Sequence, residues 1–254
     1  MNSLFRSFHA GQEIKVDANF YKDPPRSSIV FIDAGARLGE LYRMHESDLG
    51  SFFKVTDDSI IVREDLGKHV KYAFLPFKFE FPRSRFEHAE FHLFEPNPDF
   101  FDGLCEVAKW LSKVAGVVYV HKVALSTKEE ITSFKISDGG WGSTLREDKQ
   151  HEKFVKEVDV QTINFVEFIK KINRREITQE IHIKMDIEGS EYDVLPTIFD
   201  NWGHVKKIKS LSVEFHADYL PDADKEFWGN KQTTFCLIQL GKLGVKFNWW
   251  PGEW

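Results

Sequence analysis

The chain has 254 residues, 42% hydrophobic and 29% charged, which fits one large domain with a sizeable core and excludes a wholly disordered chain. Thirty-four Lys and Arg against 40 Asp and Glu leave a net charge of −6, with no block of like charge and so no broad basic face for nucleic acid. No apolar run is long enough to span a bilayer, residues 1–11 lack an apolar signal core, and the two cysteines, Cys105 and Cys236, form no CxxC pair; a soluble, cytoplasmic protein is expected.

In chain order, residues 1–27 read as an extension before the first apolar run, Ile29–Ile32, which ends in Asp33 and small residues. Residues 43–88 are too long for a plain helical connection and contain FLPFKFEF, whose alternation predicts a local strand or hairpin. Phe91–Phe94 is the second strand. A helix starting at Asn97-Pro98-Asp99 follows, with Phe100, Leu104, Val107, Leu111 and Val114 at helical spacing. Val117–Val120 is the third strand. SDGGWGSTL then marks a turn between two β-like stretches within Ile131–Val158. Ile163, Val166, Ile169 and Ile172 predict a second helix, capped by Thr162. His182–Met185 is the fourth strand. Tyr192, Leu195, Phe199 and Trp202 form a third apolar stripe, which Pro196 should restart or kink. Leu211–Phe215 and Val245–Phe247 are the last strands. Near-continuous apolar strands alternating with helices predict an α/β domain with a mostly parallel sheet and helices on both faces.

Ligands of such sheets sit beyond the carboxyl ends of the strands, at the switch in strand order. Three acidic motifs fall there: Asp33 with AGARLG, Glu95 with PNP, and Asp186 with IEGSE. Gly35 and Gly39 do not complete a G-x-G-x-x-G fingerprint, because Arg37 and Glu40 stand where glycines are needed, and no phosphate-cradling G-x-x-x-x-G-K-[ST] occurs. What remains, D-x-G-x-x-x-G, lets backbone approach a ligand closely. Glu95 is suited to accept hydrogen bonds from vicinal ribose hydroxyls, although 56 positions separate it from Gly39, an excess that an insert at 43–88 explains.

VFIDAGARLG, HLFEPNPDF, KVALSTKEE, GGWGSTL, VDVQTINFVEFI and IHIKMDIEGSEYDVL, taken together and in order, resemble the FkbM family of S-adenosylmethionine-dependent methyltransferases. The resemblance runs from about Ile29 to His216. It implies a class I, Rossmann-like methyltransferase domain over 1–254 that methylates a hydroxyl oxygen, on a sugar residue of a glycan or on a polyketide or lipid, and releases S-adenosylhomocysteine. It places Asp33, Gly35, Ala36 and Gly39, with Arg37 between them, at the methionine end. Glu95, with Pro96 and Asn97, takes the ribose; Ala124 and Leu125, ending the third strand, lie near adenine; Asp186 sits beside the sulfonium and the acceptor hydroxyl. Arg37 departs from the small polar residue usual in the family, Phe165 and Val166 stand in place of a Leu-Asp pair, and 43–88 is extra. A fold-retaining but inactive binding module is the competing class; the three intact acidic motifs speak against it.

Methyl transfer from a sulfonium is an in-line displacement governed by positioning, and an alcohol acceptor needs its proton taken. Asp186, Glu188 and Glu191 follow the fourth strand, and Glu214 and His216 end the fifth. His216 is the best single base candidate from its ordinary pKa, with Glu188 and Glu214 next. No HExxH spacing occurs, and His88 and His92 share a strand face with poor ligand geometry. Asp186, Glu188, Glu214 and His216 could converge on an ion, but no metal is assigned. The acidic balance and the lack of an Asn-Pro-Pro-aromatic motif argue against a nucleic-acid acceptor. The seven-residue aromatic set Phe52, Phe53, Tyr72, Phe74, Phe77, Phe79 and Phe81, interleaved with Lys and Arg, fits either an acceptor-binding lid in the 43–88 insert or aromatics that extend the core or bury a subunit interface. Trp141, Trp249, Trp250 and Trp254 are further candidate ligand platforms.

Overall fold

The structure, a computed structural model, describes residues 4–14, 28–37, 53–55, 59–62, 80–82, 87–113, 115–138, 140, 142–149, 152–217 and 230–250. Its strands are β1 (Phe5–His9), β2 (Gln12–Ile14), β3 (Ile29–Ala34), β4 (Phe53–Val55), β5 (Ser59–Val62), β6 (Glu80–Pro82), β7 (Glu90–Phe94), β8 (Val117–His121), β9 (Ala124–Ser126), β10 (Ile131–Ser137), β11 (Phe154–Asn164), β12 (Glu180–Met185), β13 (Ile208–Glu214) and β14 (Lys246–Trp250). The helices are α1 (Pro98–Leu111), α2 (Phe165–Arg174), α3 (Glu191–Asp200) and α4 (Asn230–Lys242).

The main sheet has eight strands in the order β14-β13-β12-β3-β7-β8-β1-β2. The six from β14 to β8 are all parallel, and β1 and β2 extend the β8 edge antiparallel. Residues 5–14, within the segment read as an extension, thus complete the sheet. Every residue of β3 and β7 is buried, because each strand contributes to a core on both faces. Phe31, Phe91, Leu93 and Val118 pack with Leu104, Ala108 and Leu111 of α1. Val30, Ile32, Ile181 and Ile183 pack with Ile169 and Ile172 of α2, Leu195 and Ile198 of α3, and Leu240 of α4. Each such side chain contributes about 1.5–3 kcal/mol on burial, which is why these runs are continuous rather than alternating.

Helix α1 begins where its sequence predicts: Asn97 Oδ1 accepts the Asp99 N–H at 3.0 Å and Pro98 takes the first turn. Val114 lies outside the described residues. The second helix starts later than its apolar spacing suggests. Thr162 is not its cap, because its hydroxyl accepts the Glu130 N–H at 3.0 Å and donates to the Lys128 carbonyl at 2.9 Å while β11 runs on. Asn164 caps instead, accepting the Glu167 N–H at 3.1 Å. Pro196 does not restart α3; the helix continues through it, with Leu195 and Ile198 buried on either side. Ala124 and Leu125 do not end the third parallel strand. That strand stops at His121, and they form β9, which pairs in parallel with β11.

Strands β9, β11 and β10 make a second, three-stranded sheet, with SDGGWGSTL in the β10–β11 connection as its turn chemistry predicts. The strands β4, β5 and β6 form a third, antiparallel sheet, in which β6 takes the end of FLPFKFEF. Most of 43–88, with the side chains proposed for a lid, lies outside the described residues, as do Gly39, Trp141, Trp254 and the side chains of Trp249 and Trp250. Among the described residues no helix is long and apolar enough to cross a membrane.

Candidate active site

Strand order reverses at β3: later strands are added outward through β7 and β8 on one side, and through β12, β13 and β14 on the other. The chain leaving β3 makes a tight turn, with Gly35 at φ +80° and Arg37 at φ +50°. A Cβ on Gly35 would lie 1.8 Å from the Asp186 carbonyl oxygen, so only glycine lets the β3 and β12 ends come together. The amides of Gly35 and Ala36 donate to the Phe94 carbonyl at 3.1 and 2.9 Å, and the Asp186 amide donates to Ala34 O at 3.0 Å. These bonds knit three strand ends into one rim.

Beyond that rim lies an open cleft. Gly35, Arg37, Glu95, Pro96, Ala124, Leu125, Asp186 and Glu188 are among the residues that line it. Asp33 and Ala36 are buried beneath it, and Asn97 serves as the helix cap. Phe94, Phe100, Val123, Phe134 and Leu145 add an apolar wall that the motifs did not single out. Two of these, Phe134 and Leu145, come from β10 and its following connection, so the second sheet closes one side of the cleft. Helical spacing assigned Phe100 to the core; it faces the cleft instead, with the Arg37 guanidinium 5.5 Å above its ring.

Glu95 is held by two backbone donors, Arg37 N at 2.7 Å and Asn97 N at 2.8 Å, one to each oxygen. Burial outweighs those bonds and pushes its carboxyl up to about 7. At the bottom of the rim Lys184 donates to Gly35 O at 2.7 Å and pairs with both Asp33 and Asp186 at 3.3 Å. Burial opposes its charge, but Asp33 and Asp186 hold the ammonium above its ordinary pKa. Lys184 was not singled out from the sequence; period-two alternation in KMD, which sets it on the same side as Asp186 just beyond the end of β12, is a signal that could have found it.

The IEGSE turn is organised by Glu191, which is fully buried. Its carboxylate accepts the Ile187 amide at 2.6 Å and the Gly189 amide at 2.8 Å, and meets His216 Nδ1 at 3.2 Å. His216 Nε2 lies 3.5 Å from Glu188 and 3.7 Å from both Asp186 and Glu214. The four residues expected at the reacting centre therefore converge. The role read for His216 from its ordinary pKa does not survive that convergence. Burial disfavours the imidazolium, yet Glu188, Glu191 and Asp186 around it prevail and push its pKa up to about 10. At neutral pH it holds its proton. Two carboxyls move up as well, which favours their neutral form: burial raises Glu188, and burial with the Asp186 charge takes Glu214 to about 8. Asp186, despite burial, is held below its usual range by Lys184 and His216.

Three cations, Lys149, Lys184 and His216, thus face five carboxylates, Asp33, Asp186, Glu188, Glu191 and Glu214. Acidic side chains outnumber basic ones beside the cleft, with Glu214 protonated below about pH 8. Asp186, Glu188 and His216 also offer ligand atoms within 4.8 Å of one another, a spacing that a divalent cation can bridge. Lys184 and Lys149 already pair with the two carboxylates.

The model of the methyltransferase FkbM domain matches residues 65–227, more than half of the chain. The chain belongs to the FkbM methyltransferase family. The FkbM match takes in Glu95, the β9–β11 sheet, Asp186 and His216. It begins inside the segment read as an insert, downstream of the Gly35 turn. Comparison with curated proteins and with solved structures gave no match.

Proposed function

We propose that the chain is an S-adenosylmethionine-dependent O-methyltransferase acting on a hydroxyl of a small acceptor, a sugar residue of a glycan. The observation that carries the reading is the convergence of the Gly35 turn, Glu95 and Asp186 on one cleft, with Asp186 held ionised by Lys184 and His216. The strand order, with its reversal at β3, supports a class I, Rossmann-like sheet. The cleft's chemistry fits S-adenosylmethionine: the Gly35 turn for its methionine end, Glu95 for ribose hydroxyls, and the Val123, Leu125, Phe134 and Leu145 wall for adenine. An ionised carboxylate favours a sulfonium.

When bound, the cofactor supplies an electrophilic methyl group. The chain's own residues do the rest. Asp186, kept ionised by Lys184, orients the acceptor hydroxyl and stabilises positive charge. Glu214 takes the hydroxyl proton, since a carboxyl near pH 8 is well matched to that task. His216, as the imidazolium, keeps Asp186, Glu188 and Glu191 together in a small volume. No metal takes part in this reading.

A screen of glycans and free sugars, polyketides and lipid alcohols with methyl-labelled cofactor tests the reading. Label transfer to a sugar hydroxyl with release of S-adenosylhomocysteine is expected. Transfer only to a polyketide or lipid would replace the acceptor class, and cofactor binding without turnover on any acceptor would favour a binding module.

A further inference from the structure

We propose that Lys149, in the connection between β10 and β11, is a positioning residue of this site, acting through Glu188. The proposal rests on the reading that places Glu188 at the methyl-transfer centre. Lys149 carries one of the most enclosed cations of the cluster, its side chain only 1% exposed. Its ammonium donates to Glu188 Oε2 at 2.7 Å and to the Gly142 carbonyl at 2.8 Å. A buried ammonium is costly unless its donors are used, so the two bonds fix both partners.

Glu188 needs fixing. It sits at φ +56°, a left-handed conformation that is unfavourable for a non-glycine residue and persists where surroundings impose it. The β10–β11 connection imposes it from both sides. Thr144 Oγ1 donates to the Glu188 carbonyl at 2.7 Å, anchoring the backbone. Arg146 lies across Gly189 and reaches Asp193 at 3.4 Å. Lys149 then draws the carboxylate to the point 3.5 Å from His216 Nε2. The second sheet is in this way part of the reacting centre rather than an ornament to it, and 39 positions separate the two partners in sequence.

The test is an NMR titration of the His216 imidazole, which faces Asp186, Glu188, Glu191 and Glu214, in the full chain and in Lys149→Met. A bare loss of positive charge and a loss of positioning move that pKa in opposite directions. If Lys149 holds Glu188 in place, its removal lets the carboxylate leave, and the His216 pKa falls from about 10 towards the ordinary imidazole value. If Lys149 contributes charge alone, removing a cation drives the pKa above that of the unsubstituted chain, and the proposal is overturned. An unchanged value overturns it equally. In Lys149→Arg a two-donor cation is kept and the pKa should stay near that of the unsubstituted chain. Should Lys149→Met not fold, Lys149→Gln is read in the same way, because its amide is one atom short of the ammonium's reach. Calorimetry with S-adenosylhomocysteine on the same proteins separates the two claims. Absence of binding to the unsubstituted chain refutes the proposed function while leaving the Lys149 result to be judged on the titration.

Discussion

Replacing Gly35 by alanine adds one methyl group at the point where three strand ends meet. The added Cβ would stand 1.8 Å from Asp186 O and 2.9 Å from its carbonyl carbon, on a residue at φ +80°. Both obstacles are backbone, so no side-chain rotation relieves them. The left-handed conformation costs about 1–2 kcal/mol, and forcing apart a packed contact typically costs about 1–3 kcal/mol more. A loss of roughly 2–5 kcal/mol from a total of about 5–15 lowers the melting temperature by about 4–20 °C for a chain of this size. Because the shift must part β3 from β12, it also moves the Lys184 bond to Gly35 O and the Asp186 carboxylate. Differential scanning calorimetry and S-adenosylhomocysteine titration of Gly35→Ala measure both effects. A variant that melts within a degree of the parent and binds equally well would refute the close-approach argument.

Other expectations follow from the charges. With saturating cofactor, turnover should rise as pH passes through about 8, where Glu214 gives up its proton, and fall towards about 10, where His216 loses its own. Glu214→Gln should lower turnover by about 10²–10⁴-fold and remove the rising limb; a profile unchanged in that variant would assign the base elsewhere. In the core, His92 meets His121 at 2.9 Å and Glu90, which Arg175 also holds. Burial keeps both imidazoles below their ordinary pKa, though Glu90 pulls that of His92 the other way. The unfolded chain therefore binds more protons below about pH 6.5, and stability present above that pH should be lost as pH falls through and beneath it; urea midpoints constant from pH 7.5 to 5 would contradict this. Chelator should leave the methylation rate untouched, and a loss restored by Mg²⁺ would reject the metal-free account.

The parallel sheet was legible because β3, β7 and β12 are buried on both faces and so read as unbroken apolar runs. Asn97-Pro98-Asp99 announced α1 through local capping chemistry alone. Thr162 misled because its hydroxyl is equally good at holding a loop, and the choice was made by Glu130 and Lys128, more than 30 positions away. Asp186, Glu188, Glu214 and His216 could be gathered from strand ends, since topology alone brings those ends together. Their protonation could not, because His216 meets carboxylates from two different strand ends and their loops. Lys149 carried no signal: nothing in its neighbourhood in sequence marks the lysine that reaches Glu188. Glu191 was visible as one of the acids that follow the fourth strand, but not its full burial or its hold on the turn, which depend on the Ile187 and Gly189 amides and on His216.

The central claim is that the cleft at the ends of β3, β7 and β12 holds S-adenosylmethionine through Glu95. Calorimetric titration of the intact chain and of Glu95→Ala with S-adenosylhomocysteine tests it most directly. Charge-assisted hydrogen bonds are each worth roughly 1.5–3 kcal/mol, so saturable one-to-one binding should weaken at least about tenfold in the folded variant. No binding to the intact chain, or equal affinity in both proteins, would contradict the account.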